Sequence, residues 1–227
     1  MAPIGRNLLQ ALTDYHRRTI HVPRVRRVAQ ALAPLITEAG GAHSLLDVGC
    51  GDGTIAATVG RTVGAERVVG LDVALRDQVA IDAYAYDGGL LPFDDDSFDV
   101  VLLADVLHHA TDPLALMREC LRVATVGVAL KDHLAFGPLS ARLLTLMDHV
   151  GNAAAGVAVR GRYFALDEWF ALVRRAGGRL TVMRWPLQIH DLPWRLVTRS
   201  ELQFAALIEH AEGAPTDFRA PDPDEEL

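Results

Sequence analysis

The stretch VALKDHLAF, Val128 to Phe136, sets Lys131, Asp132 and His133 side by side at the end of an apolar run. Of 22 basic residues in the chain, Lys131 is the one lysine; every other is arginine. These three side chains hold, orient and move protons, and histidine does so near neutral pH. A second group, Asp105, His108 and His109, follows the apolar run SFDVVLLADV. His133 and His108 are the candidate general bases, with Lys131 a compact charge beside them. Side chains alternate along a strand, so Lys131 and His133 should share one side while Asp132 faces the other. A neighbouring Asp132–His133 dyad is therefore disfavoured, and Asp148 or Tyr163 is the expected partner of Lys131 or His133. A metal ion is conceivable on His108, His109, His133 and Asp148, but no ligand spacing supports one, and none is expected.

The glycine loop SLLDVGCGDGT offers a different chemistry. Asp47, Gly49, Gly51 and Gly53 lie where an apolar run turns into the helical pattern IAATVGRTVGA. Glycines there permit a tight turn and let a ligand approach the backbone at the positive end of a helix. A dinucleotide fingerprint needs G-x-G-x-x-G, and the position its last glycine would take is Thr54. A phosphate-binding P-loop needs Gly-Lys-Ser/Thr, and the only lysine is far away. Asp72 ends the next apolar run, RVVGLDV, where a carboxylate can take both ribose hydroxyls of a nucleoside. Asp87-Gly88 ends a third, where a carboxylate can accept from an adenine amino group. Taken singly, each aspartate reads as a turn or cap residue; three in this order suit a cationic nucleoside without phosphates.

Positioning these groups requires alternating strands and helices, which predicts a doubly wound α/β sheet. LLDVG, RVVGLDV, AIDAYAYDGG, SFDVVLLADV and VGVALKDH read as strands one to five, and RLTVMRWP and ELQFAALIEH as two closing strands. Thr111 or Asp112 should cap the helix PLALMRECLRV, with Pro113 at its first position and Leu114, Met117, Cys120 and Leu121 inward. The expected division is an N-terminal helical cap over residues 1–37 with a break near Val22-Pro23, one domain over 38–210, and a tail over 211–227. Within the domain, 137–164 is an insertion, helical to His149 and then glycine-rich. Trp169 and Phe170 read as core of the helix ALDEWFALVRRAGG; Trp185 and Trp194 read as core or pocket wall.

LLDVGCGDG, VVGLDV, DGGLLPFDDDSFDVVLLADVLHH and LRV together resemble the successive motifs of class I S-adenosylmethionine-dependent methyltransferases, over about Ser44 to Lys131. The resemblance implies a mainly parallel seven-stranded Rossmann-like sheet with S-adenosylmethionine as cofactor. It implies that Asp47, Gly49, Cys50 and Gly51 hold the methionine part, that Asp72 and Val73 flank the ribose, and that Asp87 and Gly88 flank the adenine. The backbone at Ala104 and Asp105 would border the methionine and the reacting methyl. One departure stands out. Between Asp72 and strand three only VALRDQV intervenes where the family places a helix, and a parallel crossover normally needs a dozen or more residues. Either strand three starts later, or that side of the sheet is bare.

The implied reaction is methyl transfer to an oxygen or carbon centre of a small-molecule acceptor. Alternatives are another reaction on the same fold, such as a cyclisation, or a non-catalytic scaffold; an unbroken series from Asp47 to Asp87 argues against the scaffold. Of the net charge of −7, the stretch from Glu209 to Leu227 carries −6 (seven acids against Arg219), which leaves the rest about neutral. That balance argues against a nucleic-acid partner. HRRTIHVPRVRR, with five arginines, reads as a solvated helix face, and the acidic proline-containing tail as disordered. No apolar run is long enough for a membrane and none reads as a signal segment. Two cysteines make no disulfide scaffold, so a cytoplasmic monomer or homodimer is expected.

Overall fold

The computed structural model describes residues 17–152, 161–190, 195 and 198–211. The expectations for the first sixteen residues, for most of the glycine-rich half of the insertion, for Trp194 and for the tail beyond 211 lie outside them. A π turn, Arg17–His21, leads into helix α1, Val22–Glu38. Pro23 sits in its first turn, where a missing N–H costs nothing. There follow β1 (Ser44–Val48), α2 (Thr54–Val63), β2 (Arg67–Asp72), β3 (Asp82–Ala85) and β4 (Phe98–Ala104). A 3-10 turn, Leu107–His109, precedes α3 (Pro113–Val123), β5 (Ala124–His133), α4 (Pro138–Asn152), α5 (Leu166–Arg175), β6 (Gly178–Arg184) and β7 (Gln203–His210).

Among the described residues the strands form one seven-stranded sheet in the order β3-β2-β1-β4-β5-β7-β6. β1 to β5 pair in parallel, while β7 runs antiparallel between β5 and β6. This is the doubly wound, mainly parallel sheet expected from the sequence. Period-two alternation divides its side chains between two cores. Leu45, Val100, Leu102 and Ala129 pack with Val28, Leu32 and Ile36 of α1 and with Ala56 and Val59 of α2. Leu46, Val101, Val128 and Leu130 pack on the other face with Met117 and Cys120 of α3 and Trp169 of α5.

Asp112 is the cap of α3: its carboxylate accepts from the N–H groups of Leu114 and Ala115, both at 3.0 Å, worth about 1 kcal/mol. Trp169 is buried, but Phe170 is 47% exposed and is not core, since it lies one position round the helix from the buried stripe. The crossover from β2 to β3 is also resolved: no helix forms between them, strand three starts about where its sequence begins, and that side of the sheet is bare. Instead the loop tucks under the glycine turn, where the N–H of Ala80 donates to the carbonyl of Asp52 at 2.9 Å. β3 is accordingly a short, largely exposed edge strand.

Candidate active site

Two sets of polar residues meet at the carboxyl edge of the sheet, one around the glycine loop and one around the ends of β4 and β5. Gly49, Gly51 and Gly53 all adopt left-handed φ angles (75°, 58° and 69°), which is why the turn is built of glycine. The loop's N–H groups are used internally. Those of Gly49 and Cys50 donate to the carbonyl of Leu71 at 2.7 and 3.0 Å. That of Gly51 donates to the Asp72 carboxylate at 2.7 Å, and that of Thr54 to Asp52 at 3.1 Å. This loop is not a phosphate nest.

What surrounds it is negative. Asp47, at the end of β1, is 2% exposed, and burial together with the charges of Asp72 and Asp52 pushes its carboxyl up to about 8. Asp72 is turned toward the loop. Asp52 pairs with His21 at 3.0 Å and with Arg76 at 3.7 Å, so the start of α1 closes over the loop. Across the cleft Val73 is exposed and borders Gly88, whose added Cβ would lie 3.4 Å from a Val73 methyl. Asp87 accepts from the N–H of Gly89 at 2.9 Å. A cation with ribose hydroxyls and a flat base fits this set of donors and walls; a phosphate does not.

At the end of β4 the chain turns sharply, and Asp105 takes a φ of +63°, uncommon for a non-glycine residue. Its carboxylate pairs with the buried Lys131 and with Arg24 of α1. Burial opposes its charge, but Lys131, His133 and Arg24 hold Asp105 well below the usual carboxylate range. Lys131 is fully buried, and burial lowers its pKa despite the facing carboxylate. Arg24 corrects the reading of the N-terminal arginines as a solvated face: Arg26 is exposed, but Arg24 reaches into the site.

Alternation along β5 holds for Lys131 and Asp132, but not fully for His133. At the strand's last position its Nδ1 lies equally near Asp105 and Asp132, so the neighbouring contact expected to be disfavoured is present. Lys131 and His133 both face Asp105, with His133 Nδ1 at 3.4 Å. Asp132 faces the other way and meets His108, whose Nδ1 lies 2.7 Å from its carboxylate. Both members of that pair are buried. Burial disfavours the His108 cation, yet Asp132 outweighs it and raises the pKa. His133 is lowered, by burial and then by Lys131, so it stays neutral at pH 7. Its Nδ1 is buried and also lies 3.4 Å from Asp132.

Asp148 and Tyr163 arrive from the insertion, but they serve His108 more than His133. Tyr163 stacks on His108 with ring centroids 5.1 Å apart and meets His133 edge-on at 5.8 Å. Asp148 lies 3.5 Å from His109 Nε2 and 4.0 Å from His108 Nε2. The sequence reading missed the His108–Asp132 pair, Arg24 and His21. Strand alternation already sent Asp132 to the side opposite Lys131, but nothing in the sequence located its partner His108. The two surface clefts beside Arg67 and Phe93 sit at the amino ends of β2 and β4, away from all of this chemistry.

Comparison with known proteins gives this geometry a family context. The profile of a family described as a methyltransferase domain matches residues 46–130. The 27-O-demethylrifamycin SV methyltransferase of Amycolatopsis mediterranei is 30% identical over 188 residues, 76% of this chain and 66% of that protein. A ubiquinone biosynthesis O-methyltransferase of Cereibacter sphaeroides is 35% identical over 94 residues, 37% of each chain. The chain thus spans at most about two thirds of these relatives' length. A SAM-dependent methyltransferase from Methanosarcina mazei, 16% identical, shares the fold with a TM-score of 0.55, over 79% of this chain and 98% of that one.

Proposed function

The chain belongs to the class I S-adenosylmethionine-dependent methyltransferases, and on that premise we propose that it methylates a hydroxyl oxygen of a small-molecule metabolite. The observation that carries the reading is the adjacency of two unlike sites. An edge carrying Asp52 and Asp72, with Asp47 buried behind them, suits a cationic nucleoside, and its neighbour at the ends of β4 and β5 holds neutral His133 among fixed charges. The names of the two curated relatives, both of which act on oxygen, favour oxygen over carbon.

Bound in the cleft, S-adenosylmethionine supplies a methyl group on a positive sulfur, activated for in-line displacement. The protein's part is positioning and proton handling. Asp72 is the residue proposed to bind the ribose hydroxyls; Val73 and Gly88 form the wall for the base, with Asp87 beside it. Gly49, Cys50 and Gly51 let the methionine part approach the backbone, and Ala104 and Asp105 border it. The carboxylates of Asp52 and Asp72 favour the cation electrostatically, while Asp47, raised to about 8, is mostly protonated at neutral pH.

His133 is the proposed base. The carboxylates of Asp105 and Asp132 favour the proton on its Nδ1, which leaves Nε2 with the lone pair that would accept the acceptor's hydroxyl proton. Lys131 and Arg24 hold Asp105 in place, and His108 with Asp132 and Tyr163 forms the wall behind. The test is His133→Ala. Turnover on an accepted substrate should fall by about a hundredfold or more while cofactor affinity is kept. Unchanged turnover, followed by mass spectrometry of the methylated product, would remove His133 from the mechanism.

A further inference from the structure

We propose that His108, His109 and Asp148 form a site for one divalent first-row transition-metal ion, with Asp132 as the group that orients His108. No ligand spacing in the sequence suggests it, because Asp148 lies on α4 while the two histidines lie in the turn after β4. The fold closes that gap. One nitrogen from each histidine and a carboxylate oxygen of Asp148 all fall within 4.8 Å of one another. The individual contacts are 3.5 Å from His109 Nε2 to Asp148 Oδ1 and 4.0 Å from His108 Nε2 to Asp148 Oδ2. The second is too long for a hydrogen bond. Both lie within the reach of two donors that each sit about 2.0–2.2 Å from a shared ion, with the carboxylate offering one oxygen or both.

The surroundings are those of a ligand set. The Asp132 carboxylate takes the Nδ1 proton of His108 at 2.7 Å, which leaves Nε2 as a lone pair aimed at Asp148. A carboxylate behind a ligating histidine fixes tautomer and ring orientation in just this way. The Tyr163 hydroxyl donates to the carbonyl of Leu144 at 3.2 Å, which fixes its ring beside the cluster. Tyr163 also stacks on the His108 ring, limiting its rotation. A second grouping, His108 with Asp132 and His133, is a poorer ligand set, because His108 Nδ1 and Asp132 already hydrogen-bond each other.

Two imidazoles and one carboxylate suit zinc, iron, cobalt or nickel and leave coordination positions open; an all-oxygen site for magnesium or calcium looks different. The turn lies next to His133, with the rings of His108 and His133 5.1 Å apart. On the methyl-transfer reading, an ion here would polarise the acceptor's oxygen beside the proposed base.

The experiment is calorimetric titration of the full chain, first stripped with a chelator, with Zn²⁺, and a parallel titration with Co²⁺ followed by visible absorption. The expected result is one ion per chain and a cobalt spectrum shifted from that of the aqueous ion. Asp148→Asn and His109→Gln should each weaken binding at least tenfold, and Asp132→Asn by about ten- to a hundredfold. His133→Gln should leave it within about twofold. No stoichiometric binding, or equal affinity in Asp148→Asn, overturns the site. S-adenosylmethionine is titrated into the same samples. Variants that keep that affinity are folded. A wild-type chain that binds the nucleoside but no metal defeats the metal site alone, and the reverse defeats the proposed function alone.

Discussion

Asp105 is the residue on which the acceptor edge is built, since one carboxylate answers Lys131 and His133 of β5 and Arg24 of α1. Removing one partner of a buried pair leaves an uncompensated charge and costs roughly 3–5 kcal/mol. Because Arg24 would remain, Lys131→Met should destabilise the protein by about 3 kcal/mol in urea unfolding, at the lower end of that range. A change under about 1 kcal/mol, the scale of an exposed pair, would mean the pair is not buried in solution. Asp47 makes a pH prediction. Its carboxyl is raised from 3.8 to about 8 by burial, Asp72 and Asp52, so the folded chain holds a proton that the unfolded chain releases. Stability from this group is complete below pH 4, declines as pH rises toward about 8, and is flat beyond. Asp47→Asn should remove that decline; urea unfolding of both proteins at pH 5 and pH 8 measures it, and parallel losses in the two would contradict the assignment. At this scale alternation made the opposed directions of Lys131 and Asp132 legible in the sequence. The partners were not legible, because Arg24, Asp105 and His108 come from distant segments.

At the scale of elements, the glycine turn and the loop under it explain the departure from the usual crossover. Without a helix between β2 and β3, the residues Val79, Ala80 and Ile81 pack beneath Gly53 and Gly70 instead. The turn itself is held against the far side of the site. A Cβ on Gly49, at φ +75°, would stand 2.6 Å from a methyl of Val106, just past the end of β4. Gly64 has a similar φ of +77° but nothing within 4 Å. Gly64→Ala should therefore cost only the backbone penalty of about 1–2 kcal/mol. Gly49→Ala should cost clearly more and weaken cofactor binding, with partial recovery in the Gly49→Ala/Val106→Ala double variant. Equal losses in the two single variants, by urea unfolding, would show that the overlap with Val106 does not matter. The strands and the helices α2, α3 and α5 are legible in the sequence, because apolar periodicity and caps mark them locally. Whether strand three starts later or that side of the sheet is bare was not decidable, since a short linker allows both.

For the whole molecule, the fold gathers the ends of β1, β2, β4 and β5 with the start of α1 on one edge, and both halves of the site lie there. No helix among the described residues is long and apolar enough to cross a membrane. The order Asp47, Asp72, Asp87 was readable because each stands at or just past the carboxyl end of a strand that leads to this edge. The acceptor side was only partly so: its candidates were visible, but their geometry depends on how α1 and the insertion close over the sheet. The account as a whole requires that the cleft take a cationic nucleoside. Calorimetric titration of the full chain with S-adenosylmethionine tests this most directly. The account predicts one site per chain and at least a tenfold loss of affinity in Asp72→Ala, the variant that removes the ribose-facing carboxylate. Absence of binding by the folded protein, or an Asp72→Ala variant that binds as tightly as the wild type, would contradict it.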